Sequence, residues 1–325
     1  MKRILLSAAV ALSLLAPASS AANWTSINQY SDVWAGFSEV AAGNLHISEV
    51  IAQWTQPTVT CSWPNDYYYP GVTSGPPRVS VWVGMWADKP TMKAGKKGWL
   101  PQIGTVTYCA EPFPNLPYAG SGVGAPVWEM QSHQSGAGND PQIGGTIGRS
   151  LFPGTSFYNC PPGPKTIGMC GNIIDVSSGD KIRAAIELFS DKSGAIKRTF
   201  EFRMEDITQN TSALGYEQTD RPVTIEQIAK QAGVIVEPAF SLDKKNNTYT
   251  DVRLAQFSTV KVTMAVATNT ISPKNHKLYK WHMDHGGIEL SVGDNLHQES
   301  GTSRWFDFTV GCINPSNGLC TGKKV

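Results

Sequence analysis

Gln102 and Glu237 stand apart from the other polar residues of this chain because each sits in an apolar frame. Gln102 lies in Trp99-Leu100-Pro101-Gln102-Ile103-Gly104, after the run Val79-Ser80-Val81-Trp82-Val83-Gly84, and Glu237 closes Ala232-Gly233-Val234-Ile235-Val236-Glu237. Such runs read as buried strands, which places both side chains at the wall of an internal cleft. A carboxyl that cycles its proton activates water and later protonates a leaving amine. A neutral amide donates N–H to a developing oxyanion. The two together hold the minimum needed to hydrolyse a peptide bond.

The competing chemistries have weaker support. His282-Met283-Asp284-His285 brings three metal-ligand types close together, and if Tyr279, Trp281 and Met283 face the core, His282 and Asp284 share the opposite face beside His285. That pattern suits a solvated polar face better than a metal site. No His-Glu-x-x-His, Gly-x-Ser-x-Gly or Asp-Thr/Ser-Gly sequence occurs. Gly120-Ser121-Gly122-Val123-Gly124 follows no strand-like run and precedes Pro126, so it does not read as a phosphate loop.

The elements that must position Gln102 and Glu237 are strands. Ile182, Ala184, Ile186 and Leu188 alternate with polar residues, as do Phe200, Phe202 and Met204, and Val260, Val262, Met264 and Val266. Turns are expected at Pro70-Gly71, Gly75-Pro76-Pro77, Gly136-Ala137-Gly138 and Ser178-Gly179-Asp180. Many strands without a repeated βα unit predict an all-β, antiparallel fold of two packed sheets. Thr224-Ile225-Glu226-Gln227 predicts a capped helical turn that Gly233 ends. The stretch 110–150, rich in Gly, Pro, Asn and Gln, reads as long loops beside the cleft.

Further motifs recur in a set order: Val33-Trp34-Ala35-Gly36, Trp82-Val83-Gly84, Gln102, Val127-Trp128-Glu129, Ser178-Gly179-Asp180, Glu205-Asp206-Ile207-Thr208, Glu237 and Leu254-Ala255-Gln256-Phe257-Ser258. In this order, over roughly residues 33 to 265, the chain resembles the glutamic peptidases (eqolisins) as a divergent member. The resemblance implies a β-sandwich of the concanavalin or jelly-roll kind and acid endopeptidase activity on polypeptides, without a metal or cofactor. It assigns Glu237 as general base then acid, and Gln102 as oxyanion donor and holder of the attacking water. Trp34, Trp82 and Glu129 become candidate cleft residues. The chain departs from the family pattern at three places, where Trp86 stands for an acidic residue, Gly233 for a glutamate and Val127 for a tryptophan.

Composition bounds the setting. Lys2 and Arg3, an apolar run to Ala16 and Ser19-Ser20-Ala21 form an export signal over residues 1–21, so residues 22–325 are expected as one exported domain, with 268–325 completing or extending it. Without Lys2 and Arg3, the 27 basic residues become 25 against 26 acids, a formal charge of −1, which gives no argument for nucleic acid or anionic membrane. No later apolar run approaches the roughly 20 residues that span a bilayer. A monomer is expected. Six cysteines in an exported chain suit disulfides. Short spacing favours Cys160 with Cys170 and Cys312 with Cys320, which leaves Cys61 with Cys109. The alternative reading is a non-catalytic secreted β-sandwich, either a degenerate peptidase or a glycan binder using Trp63, Tyr67, Tyr68 and Tyr69.

Overall fold

The computed structural model describes residues 26–31, 34–60, 78–87, 97–109, 122–134, 143–146, 168–171, 176–189, 198–218, 223–238, 241–243, 248–250, 254–268, 277–284, 288–298, 305–316 and 319–324. The export segment, Cys61, Trp63, Tyr67, Tyr68, Tyr69, Cys160 and His285 lie outside them.

The first strands are β1 (Ser26–Ser31), β2 (Ala35–Val40), β3 (Ile47–Thr55), β4 (Val59–Thr60), β5 (Arg78–Trp86), β6 (Lys97–Cys109), β7 (Gly122–Gln134), β8 (Ile143–Thr146) and β9 (Gly168–Gly171). Next come β10 (Lys181–Phe189), β11 (Thr199–Asp206), β12 (Thr211–Gln218), β13 (Gln231–Glu237), β14 (Ser241–Asp243), β15 (Thr248–Thr250), β16 (Gln256–Phe257) and β17 (Val260–Thr268). The chain closes with β18 (Lys277–Asp284), β19 (Ile288–Gln298), β20 (Trp305–Cys312), β21 (Pro315–Ser316), β22 (Leu319–Cys320) and β23 (Lys323–Lys324).

Among the described residues, 17 strands are hydrogen-bonded into one sheet, and three further pairs stand apart from it. Neighbour follows neighbour as β8, β7, β6, β5, β13, β2, β18, β19, β20, β17, β3, β10, β11, β12, β9. The pairings in this path are antiparallel, whereas β1 runs parallel to β18. The fold is therefore almost wholly β, as alternation predicts. Hydrogen bonding joins these strands in one curled sheet instead of dividing them between two.

Curling lets the two halves of the sheet enclose one core. Val79, Val81, Val83 and Met85 of β5, Ile103 of β6 and Val234 and Val236 of β13 belong to the same buried cluster as Trp54, Ile182, Ile186, Phe200, Phe202 and Met264. Every large apolar side chain so buried is worth about 1.5–3 kcal/mol. A polar bridge crosses the core as well. Gln56, just after β3, donates from Nε2 to Thr107 Oγ1 at 2.6 Å and accepts at Oε1 from Thr105 Oγ1 at 2.8 Å, so a buried amide keeps its partners.

Several local expectations change. Gly122–Gln134 is a 13-residue strand inside the stretch read as loop, because its partner β6 satisfies a backbone whose composition alone gives no β signal. The helical turn spans Ile225–Gln227, with Thr224 N–H donating to Gln227 Oε1 at 2.8 Å, and its C-cap is Ile228. Gly233 lies mid-strand instead. A Cβ there would come within 2.2 Å of the Phe37 carbonyl oxygen, so close packing of β2 explains the glycine. In β18, Tyr279 and Trp281 do not share a core with Met283: they pack in a second cluster, and Leu278 and Met283 enter the main one. The strand changes partner from β2 to β19 between Trp281 and His282. Cys312 and Cys320 form a disulfide with Cα atoms 5.3 Å apart. No helix among the described residues is long and apolar enough to cross a membrane.

Candidate active site

Side chains on a strand alternate between faces, so the registers of β6, β5, β13, β2 and β18 fix which residues share the face turned away from the main core. One row across it reads Trp86, Gln231, Val40, Lys277, with Leu100 on the same face of β6 two positions before Gln102. The next reads Gln102, Gly84, Gly233, Ser38, Tyr279, and the one after it Gly104, Trp82, Ile235, Gly36, Trp281. Ser80 and Glu237 open the following row, and Trp34 joins it because its neighbour Ala35 pairs with Val236. Gln102 and Glu237 therefore meet on one face from strands that are not neighbours.

Gln102 is 5 % exposed and Glu237 7 %. Both line a narrow cavity of about 10 Å³ together with Trp34, Trp82, Gly84, Trp86, Leu100 and Ile235. Trp34 Nε1–H donates to Glu237 Oε2 at 2.8 Å. The Trp34 ring meets Trp86 and Trp281 edge-on, each with centroids 5.4 Å apart. Trp86, Leu100, Ile235 and Trp281 form a second apolar cluster, and Trp34 and Tyr279 pack against it. Below it, Ser38 Oγ accepts from Trp281 Nε1 at 2.8 Å and from Gln231 Nε2 at 2.6 Å.

Two glycines shape the floor. At Gly104 a Cβ would sit 2.0 Å from the Val81 carbonyl oxygen and 2.8 Å from Trp82 Cε3, so the Trp82 ring lies where a side chain would otherwise stand. At Gly84 a Cβ would reach Gln102 Cβ and the Trp86 ring only at 3.5 Å. The absence of a side chain there leaves the lane beside Gln102 open without any steric demand from the fold.

Four of the residues singled out from sequence, Trp34, Trp82, Gln102 and Glu237, thus line one cavity. Glu129 is the register partner of Gln102 on β7. Gly84, Trp86, Leu100 and Ile235 complete the lining, and sequence reasoning did not single them out as site residues. For Trp86 and Ile235 a signal was present, because they share strand parity with Trp82 and Glu237. The His282 cluster takes another form: its Nδ1 bonds Glu289 Oε1, and the ring stacks on Tyr30 at 5.0 Å. Among the described residues no group of three His, Cys, Asp or Glu side chains is placed to hold a metal.

No protein-family model matches the chain, and neither does any curated protein sequence. Among solved structures it is similar to scytalido-glutamic peptidase with a peptide-based transition-state analogue, at a TM-score of 0.49 and 12 % identity over 87 % of this chain and 98 % of that one. It is similar also to SCP-B, a member of the eqolisin family of peptidases, in a complex with the tripeptide Ala-Ile-His, at a TM-score of 0.48 and 12 % identity with the same coverage.

Proposed function

We propose that this chain is a secreted, monomeric glutamic endopeptidase that cuts polypeptides in acid without a metal or cofactor. The observation that carries the reading is the convergence of a buried carboxyl and a buried amide, Glu237 and Gln102, in one cavity walled by tryptophans. In this reading Glu237 takes a proton from water as the water oxygen attacks the substrate carbonyl carbon. The Gln102 amide N–H groups stabilise the oxyanion that forms. Collapse of the tetrahedral intermediate breaks the C–N bond, and Glu237 returns its proton to the leaving amine. Glu129, the register partner of Gln102 on β7, would orient substrate. The Cys312–Cys320 disulfide supports an oxidising, exported setting.

Proteolysis is expected at about pH 2–5 and lost toward neutrality, and Glu237, which must be ionised to take a proton from water, sets the acid limb of that range from an ordinary Glu value of about 4.3. The test is digestion of an acid-unfolded protein by wild type and by Glu237→Gln and Gln102→Ala. Glu237→Gln should abolish turnover with the fold intact. Gln102→Ala should lower kcat by on the order of 10²–10³, the usual loss for an oxyanion donor. Wild-type rates from both folded variants, or loss of activity to a chelator that added metal restores, would overturn the reading.

A further inference from the structure

We propose that Trp34 is a positioning residue for Glu237: its indole N–H holds carboxylate Oε2 and so fixes the orientation in which the carboxylate takes and returns its proton. The inference rests on the peptidase reading above and adds a group to which that reading gives no chemical role. Its basis is geometric. Trp34 Nε1–H donates to Glu237 Oε2 at 2.8 Å, within the range of a charge-assisted hydrogen bond. An indole N–H is a donor only and never accepts, so this contact favours the ionised carboxylate and commits Oε2 as an acceptor.

The donor is itself held from several sides. Trp86 and Trp281 meet its ring edge-on, and the Trp34 backbone N–H donates to Ser31 Oγ at 3.3 Å. Trp86 stands where the pattern of the resemblance has an acidic residue. Here an aromatic edge supports Trp34 at that point, and the indole supplies the polar contact to the catalytic carboxyl. The chain thus sets the general base from β2 and its N-terminal approach.

Other charged and titratable residues share this face by strand parity. β5 and β2 contribute Ser80, Trp82, Trp86, Trp34 and Ser38, together with the position of Arg78, two before Ser80. β13 adds Gln231, β18 adds Lys277 and Tyr279, β6 adds Gln102 and the position of Tyr108, and β7 adds the positions of Glu129 and His133. Glu39 of β2 and Lys280 and His282 of β18 fall at positions of the other parity. Trp34 is the indole to vary when the Glu237 proton is followed, because its N–H touches the carboxyl.

The experiment compares wild type with Trp34→Phe, and with Trp34 exchanged for β-(3-benzothienyl)alanine, which keeps the fused ring and replaces N–H by sulfur. Loss of the donor should cut kcat about tenfold with little change in KM. It should also move the acid limb of the kcat/KM profile up by about one pH unit, since a hydrogen bond to a charged group is worth about that much and its loss favours the protonated carboxyl. The same upward displacement is expected in the carboxyl ¹³C titration of Glu237, assigned with Glu237→Gln, and this readout needs no turnover. A purely structural Trp34 would lower stability and leave both the limb and the titration in place, which overturns the proposal. Failure of the peptidase reading is distinct from this: Glu237→Gln would then keep full activity, whatever Trp34 does to the Glu237 titration.

Discussion

Asp206 and Asp180 lie together where β10 begins and β11 ends, and Asp206 Oδ2 is buried without a donor among the described residues. Neighbouring groups bond one further oxygen of each carboxylate. Asp180 Oδ2 accepts from Ser177 N–H at 2.7 Å and Gln209 Nε2 at 2.9 Å, and Asp206 Oδ1 accepts from Gln209 N–H at 3.0 Å. Two carboxylates cannot bond each other unless they share a proton. Burial, together with the adjoining Asp180, holds the Asp206 carboxyl above the usual range against the opposing backbone N–H groups of Gln209 and Thr208.

A raised folded pKa stabilises the fold fully below the unfolded value of about 3.9, and the gain is lost as pH rises through the folded pKa. Asp206→Asn replaces the shared proton with a permanent donor. Relative to wild type, the Asn variant should therefore gain stability between acid and neutral pH, read as the difference in urea midpoint at pH 3 and pH 7. Parallel midpoints for the two proteins across that interval would reject the shared proton.

Glu289 has the opposite sign. Burial pushes its carboxyl up, yet hydrogen bonds from His282 and from Lys323, whose Nζ is 3.2 Å from Oε2, together bring it below the ordinary value. Stability from such a group is present above the ordinary Glu pKa and lost as pH falls through the depressed one. Glu289→Gln should cost about 1 kcal/mol for each charged contact weakened, at pH 6, and less near pH 3. Lys323→Met should cost well under 1 kcal/mol, since the lysine side chain is 60 % exposed. Equal losses for Glu289→Gln at both pH values would count against the account.

Gly84 and Gly104 separate the demands of the cleft from those of the fold. Gly104→Ala puts a methyl 2.0 Å from a carbonyl oxygen, and a loss of about 3 kcal/mol is expected as the strands shift. Gly84→Ala meets nothing nearer than 3.5 Å and should leave stability within about 1 kcal/mol of wild type. Its methyl narrows the lane beside Gln102, so KM should rise although the protein is as stable as before. Normal KM for Gly84→Ala would show that substrate does not pass there.

Glu129→Gln should lower kcat by less than the 10²–10³ expected for Gln102→Ala, because Glu129 stands one strand further from Glu237 than Gln102 does. A loss equal to that of Glu237→Gln, measured on the same acid-unfolded substrate, would give Glu129 a direct part in proton transfer.

Period-two patterns carried much of the fold into view. Ile182 through Leu188, Phe200 through Met204 and Val260 through Val266 present their alternate residues to the core as read from sequence. Apolar frames around Gln102 and Glu237 announced polar groups that burial makes expensive, and both are buried. What sequence could not show was register between distant strands. Trp86 and Trp281 are 195 positions apart by numbering and meet Trp34 only because β2 lies between β13 and β18. β7 stayed hidden for a related reason: its two glycines and Pro126 suit a loop, and pairing along β6 overrides them.

The hydrogen bond from Trp34 to Glu237 closes a sequence separation of 203 residues, and β2 must also receive β18 from still further along the chain. Chain closure over such distances is slow, and folds dominated by it form over milliseconds to seconds or longer. The carboxyl comes from β13, and the tryptophan support around it is complete only when β18 is in place. The Trp34–Glu237 pair thus belongs to the nearly complete fold, and a chain ending before β18 would hold it without the Trp281 edge.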